Sequence, residues 1–141
     1  MSIYDGFTIS LSGMDAQLRR LRVIASNMAN ANSTRADGAE PYRRKDIVFQ
    51  AVPLEEGPGA FPGSQDGLQK VAAAGIVEDM RPFKRALMPG HPDADEEGFV
   101  LLPNVEPFEE MINMMDAIRS YEANVTTFTA SKEMIKKALE M

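Results

Sequence analysis

Cysteine and tryptophan are missing from the 141 residues, and histidine occurs once. Without cysteine there is no disulfide, no thiolate nucleophile and no cysteine-based zinc site, and an oxidising or a reducing compartment suits the chain alike. With a single histidine, His91, a nucleophile-base-orienter arrangement has one imidazole to draw on, and no serine is marked as activated beside it. Positive charge is also short. Fifteen Lys and Arg against 21 Asp and Glu give a net charge of -6, which argues against nucleic acid as the main partner, because phosphate binding rests on a basic patch. No run approaches the roughly 18 apolar residues of a membrane span, so direct insertion into a bilayer is not expected. Asp5, Asp15, Arg19 and Arg20 break up the first apolar stretch, so no cleaved secretory signal is expected either.

What the chain does have is periodicity at both ends. Across residues 104–141, Met111, Met114, Ile118, Tyr121, Val125, Phe128, Ile135 and Leu139 recur at steps of three and four, with Lys132 the one interruption. That spacing predicts one long helix with an apolar stripe, roughly 50 Å in length. Asn104 is the expected N-cap. Pro107 suits the first turn, Glu106, Glu109 and Glu110 suit the positive end of the helix dipole, and Lys132, Lys136 and Lys137 suit the negative end. Phe108, Ile112 and Met115 form a second apolar ridge beside the first.

Residues 2–31 carry a matching stripe: Tyr4, Phe7, Leu11, Met14, Leu18, Leu21, Ala25 and Met28 keep strict heptad spacing, which predicts a coiled-coil helix. Gly6 and Gly13 weaken it by roughly 1 kcal/mol each against alanine, so packing must supply much of its order. Asn27, Asn30 and Asn32 then replace helix formers with side chains that compete for backbone hydrogen bonds, and the helix is expected to stop near Ala31. The two stripes can cover each other. One partner helix cannot also cover the extra ridge, which points to contacts with other chains.

The middle of the chain differs in character and holds most of the glycines and all but one of the prolines. Strands are expected at 42–54, at 68–80 with Gly75 a candidate bulge, and at 99–102. A mobile loop is expected at 55–67. The fold class is therefore α+β. A helix at 1–32 and a helix at 104–141 form an inner coiled-coil domain, with a small β-rich insert at 33–103 between them.

Three constellations invite chemistry. His91, Asp93, Asp95, Glu96 and Glu97 crowd together, but the spacing matches no EF-hand loop and two prolines stiffen it, so a solvated acidic turn is expected rather than a metal site. Arg43, Arg44 and Lys45 read either as a contact for an acidic partner or as a solvated strand edge that discourages unwanted pairing. Met111, Met114 and Met115 read as helix packing rather than a promiscuous peptide groove. No catalytic, cofactor-binding or metal-binding residue is assigned.

Two motifs resemble a known family. ASNMANANSTR at 25–35 resembles the Asn-rich motif that ends the N-terminal helix of bacterial flagellar rod and hook proteins, and EEMINMMDAIRSYEANV at 109–125 resembles their C-terminal helix. PYRRKDIVF at 41–49 and PGHPDADEEGFVLLPNV at 89–105 narrow the resemblance to the proximal rod. The resemblance implies a structural subunit whose terminal helices line a hollow helical tube, with the insert outside. It implies a place in the basal body, in the rod that crosses the periplasm and transmits torque to the hook. It also implies export through the flagellar type III apparatus without a cleaved signal. Implied partners are other copies of the chain, other rod subunits and the ring or adaptor proteins at the rod's base. The candidate assembly interface is then Phe7, Leu11, Met14, Leu18, Leu21, Ala25 and Met28 with Met111, Met114, Ile118, Tyr121, Val125, Phe128, Ile135 and Leu139, and Asn27, Asn30 and Asn32 form the helix-end motif. A cytoplasmic coiled-coil adaptor or export chaperone would use two amphipathic helices as well, and stands as the alternative.

Overall fold

The computed structural model describes residues 3–34, 39–54 and 67–141. Helix α1 runs over Ile3–Ala29 and helix α2 over Pro107–Leu139. Between them lie strands β1 (Lys45–Pro53), β2 (Gln69–Glu78), β3 (Lys84–Leu87) and β4 (Phe99–Leu102). The architecture is the α+β arrangement of two long terminal helices around a small antiparallel β insert. The loop expected at 55–67 lies, apart from Gly67, outside the described residues.

Local chemistry explains where the helices end. At the end of α1, Asn30 returns both its N–H and its side-chain amide to the Ser26 carbonyl, and the Ser33 N–H and hydroxyl both close on the Asn30 carbonyl. These bonds satisfy carbonyls that another helical turn would otherwise have used. At the start of α2, Pro107 occupies the first turn with Glu109 and Glu110, and Lys136 and Lys137 stand in the last. The N-cap differs from expectation. It is Glu106, without a side-chain cap bond, because Asn104 is buried and spends its amide elsewhere. Further along α2, the hydroxyls of Thr126, Thr127, Thr129 and Ser131 bond to carbonyls one turn back, so they are satisfied within the helix.

β1 and β2 pair antiparallel, from Lys45 opposite Glu78 to Pro53 opposite Gln69. The register shifts between Val48, opposite Gly75, and Phe49, opposite Ala73. Ala74 is thus the extra residue, and the bulge falls beside the glycine that suggested it. β3 and β4 form a second antiparallel pair. The sequence reading missed β3, whose four residues Lys-Arg-Ala-Leu carry no alternation; it exists because β4 supplies its partner. The turn joining them closes through Gly98 at φ 82, a left-handed conformation that favours glycine.

Among the described residues the buried apolar side chains are few and mostly small: Ala16, Ile24, Ala31, Pro41, Val100, Pro103, Val105 and Ala117. The accessible surface is 9855 Å², against roughly 7200 Å² for a compact monomer of this mass. Much surface that a self-contained domain would hide is open.

Candidate assembly interface

The helices pair antiparallel. Asn27 meets Glu110 across a 3.0 Å hydrogen bond, a side chain added at Gly13 would meet Asn124, and the Phe7 and Phe128 rings stack edge to face at 4.8 Å. As the α1 number falls the α2 number rises. Along this seam Ser10, Ile24 and Asn27 of α1 and Glu110 and Ala117 of α2 are buried.

The two predicted stripes are divided by this packing. Phe7, Met14, Leu21 and Met28 on α1, and Met114, Tyr121, Phe128 and Ile135 on α2, are half-buried along the seam. Leu11, Leu18 and Ala25, and Met111, Ile118, Val125 and Leu139, are exposed. Each stripe therefore turns one row toward the other helix and one away from it. In an antiparallel pair the two outer rows flank the seam on the same side. β1 and Tyr42 meet α1 on the other side, at Asn27, while β2 reaches its back at Ser12, whose hydroxyl accepts from the Val71 N–H. The bare flank is broad. Leu11, Leu18, Met111, Ile118 and Val125 are between 38% and 59% exposed, and Phe108, Ile112 and Met115 widen the same face of α2.

At the closed end of the helical pair lies a buried polar cluster. Asn27, wholly buried, donates to the Lys45 carbonyl at 2.8 Å and to Glu110 Oε2, and its oxygen accepts from the Tyr42 hydroxyl at 2.9 Å and the Lys45 N–H at 3.0 Å. Glu110, also wholly buried, accepts from Arg44 Nε at 2.6 Å. Arg44 further faces Asp46 at 3.3 Å and Asp79 at 3.6 Å, and its N–H donates to Asn104 Oδ1. The Asn104 amide then holds the Asp79 and Arg81 carbonyls. Burial opposes the charge on Arg44, but the hydrogen bond and charge of Glu110, with those of Asp46, outweigh it and hold the guanidinium above its ordinary value. Asp79 is held below the usual carboxylate range chiefly by the Arg81 N–H, against a smaller effect of burial, with the Arg81 and Arg44 charges adding to it. Arg81 is raised by Asp79 and Glu109.

The structure revises the reading of the basic run. Arg44 is neither a solvated edge nor a contact for an outside partner; it is the buried cation of this cluster. Arg43 lies over the Phe83 ring and Lys45 over the Tyr42 ring. Of the helix-end asparagines, Asn27 joins the insert, Asn30 closes its own helix and Asn32 is exposed. Sequence reasoning missed Glu110, Asn104 and Tyr42 as members of the cluster. The one available signal was a glutamate in a heptad row of α2 whose later members, Ala117, Asn124 and Ser131, are small and uncharged.

The acidic turn is wired internally. Asp93 accepts from the Thr34 hydroxyl at 2.6 Å, Asp95 Oδ1 accepts from the Glu97 and Phe99 N–H groups, and Arg85 lies over Phe99 within 3.6 Å of Asp95 and Glu97. Among the described residues no three acidic or histidine side chains come together as a metal site would need. No helix among them is long and apolar enough to cross a membrane.

Residues 7–36 match the family described as flagella basal body rod protein, and residues 96–141 match the flagellar basal body rod FlgEFG protein C-terminal family. These two regions hold α1 with its asparagine-rich end, and β4 with α2. Full-length relatives bridge the insert as well. The chain is 41% identical to the flagellar basal-body rod protein FlgC of Escherichia coli O157:H7 over 141 residues, covering 100% of this chain and 98% of that protein. It is 39% identical to FlgC of Aquifex aeolicus over 99% of this chain and 97% of that one. Against FlgC of Bacillus subtilis the identity is 37%, covering 100% and 99%. With its two helices, its insert and its bare helical flank all lying within these matches, the chain belongs to the FlgC family of flagellar basal-body rod proteins.

Proposed function

We propose that this chain is a structural subunit of the proximal rod, and that it assembles helically by packing its bare helical flank against neighbouring copies and other rod subunits. The observation that carries this reading is the division of each apolar stripe. One row is spent within the chain, and the other, with Leu11, Leu18, Ile118 and Val125, is left in water. Apolar surface of that extent on a small chain marks a binding face. A face that meets a different surface on the next copy does not close on itself and generates a filament. In this role the rod is a hollow drive shaft across the periplasm that passes torque from motor to hook. Its base meets ring or adaptor proteins, and the subunit arrives through the type III export apparatus without a cleaved signal.

The insert must keep a fixed attitude to the helices for torque to pass through it. The hydrogen bonds of Asn27 to Lys45 and Tyr42 support assigning that task to the helix-end motif. Replacing Asn27, Asn30 and Asn32 together by alanine is expected to abolish rod assembly. No catalytic residue is needed, and His91→Ala is expected to leave motility unchanged.

The deciding experiment introduces Leu18→Asp and, separately, Ile118→Asp. Both side chains are 40–41% exposed in the chain alone, so the monomer should lose about 1–2 kcal/mol and keep its helices by circular dichroism. Assembly would bury an unpaired carboxylate, and cells carrying either variant should be non-motile. Wild-type swimming in both would remove the flank from the interface. A discrete, soluble oligomer of the wild-type chain with intact helices would favour the adaptor.

A further inference from the structure

The apolar part of the interhelical seam does little to fix its own axial register. Phe7, Met14, Leu21 and Met28 on α1 repeat every seven residues, as do Met114, Tyr121, Phe128 and Ile135 on α2. A slide of one heptad, about 10 Å, exchanges one large apolar contact for another of the same kind. Of the residues between them, Ser10, Gly13 and Ala117 are small and offer little resistance to sliding, and the large buried apolar one, Ile24, lies a single turn from Asn27. One level of the seam differs. There Asn27, Arg44 and Glu110 meet out of contact with bulk water, and all four hydrogen bonds of the Asn27 amide are made at once.

We propose that the Asn27, Arg44 and Glu110 cluster is the register determinant of the helical pair, a polar lock that closes in one axial alignment only. A slide that carries Asn27 away leaves the Lys45 N–H, the Tyr42 hydroxyl and Glu110 Oε2 without their partner in a region that excludes water. Removing a partner from such a buried charged group disfavours the slipped state on the order of a hundredfold or more. Arg20, which a one-heptad slide brings to the Asn27 level, does not repair the loss. A guanidinium accepts no hydrogen bond, so it cannot take the two that Asn27 Oδ1 receives, and it would set a second cation beside Arg44.

A buried ion pair is a poor source of stability, and apolar side chains of similar size often do as well or better. Specification of alignment is the task such a cluster performs that an apolar one cannot. The alignment matters because it sets Leu11 and Leu18 against Val125 and Ile118 along the bare flank. That consequence for assembly rests on the rod reading; the register itself does not.

The full chain has no cysteine, so an introduced pair reports alone. Phe7→Cys with Phe128→Cys probes the native alignment, and Phe7→Cys with Tyr121→Cys probes the alignment one heptad away. With the lock intact, a short thiol crosslinker should join the first pair at roughly tenfold or greater excess over the second. In an Asn27→Leu, Arg44→Met, Glu110→Leu background, both pairs should crosslink to similar extents while circular dichroism retains the helices. Exclusive native crosslinking in that background would show that the rest of the fold sets the register and would overturn the proposal. Equal crosslinking with the lock intact would overturn it too. If the triple variant does not fold, Asn27→Ala alone must raise the slipped fraction, and a failure to do so counts against the lock. Motility of Leu18→Asp tests the rod reading separately, since that side chain lies outside the seam.

Discussion

At the scale of single residues, Glu110 carries the sharpest consequences. A carboxylate with no solvent contact survives because Arg44 and Asn27 face both of its oxygens. Glu110→Ala strands Arg44 beside the more distant Asp46 and Asp79, and should cost roughly 3–5 kcal/mol in urea unfolding. Asp79 offers a subtler test through pH. Its folded value lies below the ordinary 3.8, so its contribution is fully present above the unfolded value and is lost as pH falls through the folded one. Asp79→Asn should therefore flatten the acid limb of stability against pH while changing the slope near neutrality little. An unchanged acid limb would mean that other carboxylates set it. None of this was legible in the sequence. Arg44 and Glu110 are 66 residues apart, and a charge pair across that separation leaves no periodic trace. The run of Arg43, Arg44 and Lys45 looked uniform although one of the three is buried.

At the scale of elements, both helices were legible to within a few residues because heptad spacing of large apolar side chains is a strong signal. Which face of each helix meets the other was not. The true seam runs through Ser10, Gly13, Ala117 and Asn124, which add nothing to a hydropathy pattern, so the predicted stripe was displaced toward the bare flank, with one row on the seam and one off it. The glycines of α1 separate these roles. Nothing lies within 4 Å of a side chain added at Gly6, and Gly6→Ala should raise the stability of the chain, by less than the roughly 1 kcal/mol of a helix interior because this end frays. At Gly13 an added Cβ would stand 2.9 Å from the tip of the Asn124 side chain. Gly13→Ala should gain less than Gly6→Ala, because Asn124 must turn aside. Gly13→Leu should part the helices and lower the urea midpoint. Strands β1, β2 and β4 were legible from β-branched runs, whereas β3, with two charges in four residues, owes its existence to its partner.

At the scale of the whole molecule, the distribution of buried contacts along the helical pair is uneven, and that has a dynamic consequence. The end bearing Asn27 and Glu110 is tied to the insert by the polar cluster, by Asn104, and by Lys84, whose ammonium holds the Val105 carbonyl and Glu106. Toward the opposite end, α2 and the residues after it offer Met134, Leu139 and Met141 to water, and the Phe7 and Phe128 rings are the one aromatic contact between the helices among the described residues. Local opening follows contact density, so the isolated chain should fray from the open end and hold at the locked end. Hydrogen exchange on the monomer is expected to be fast over residues 3–10 and 128–139 and slow near 24–29 and 110–117. Limited proteolysis should trim the chain to a core that keeps the insert together with Asn27 and Glu110, rather than releasing the insert alone. In the rod proposed above both ends should become protected, because packing on the bare flank would also bury what the monomer leaves open. Uniform protection along both helices in the monomer would mean that the pair is complete by itself, and would turn the argument toward a soluble helical adaptor.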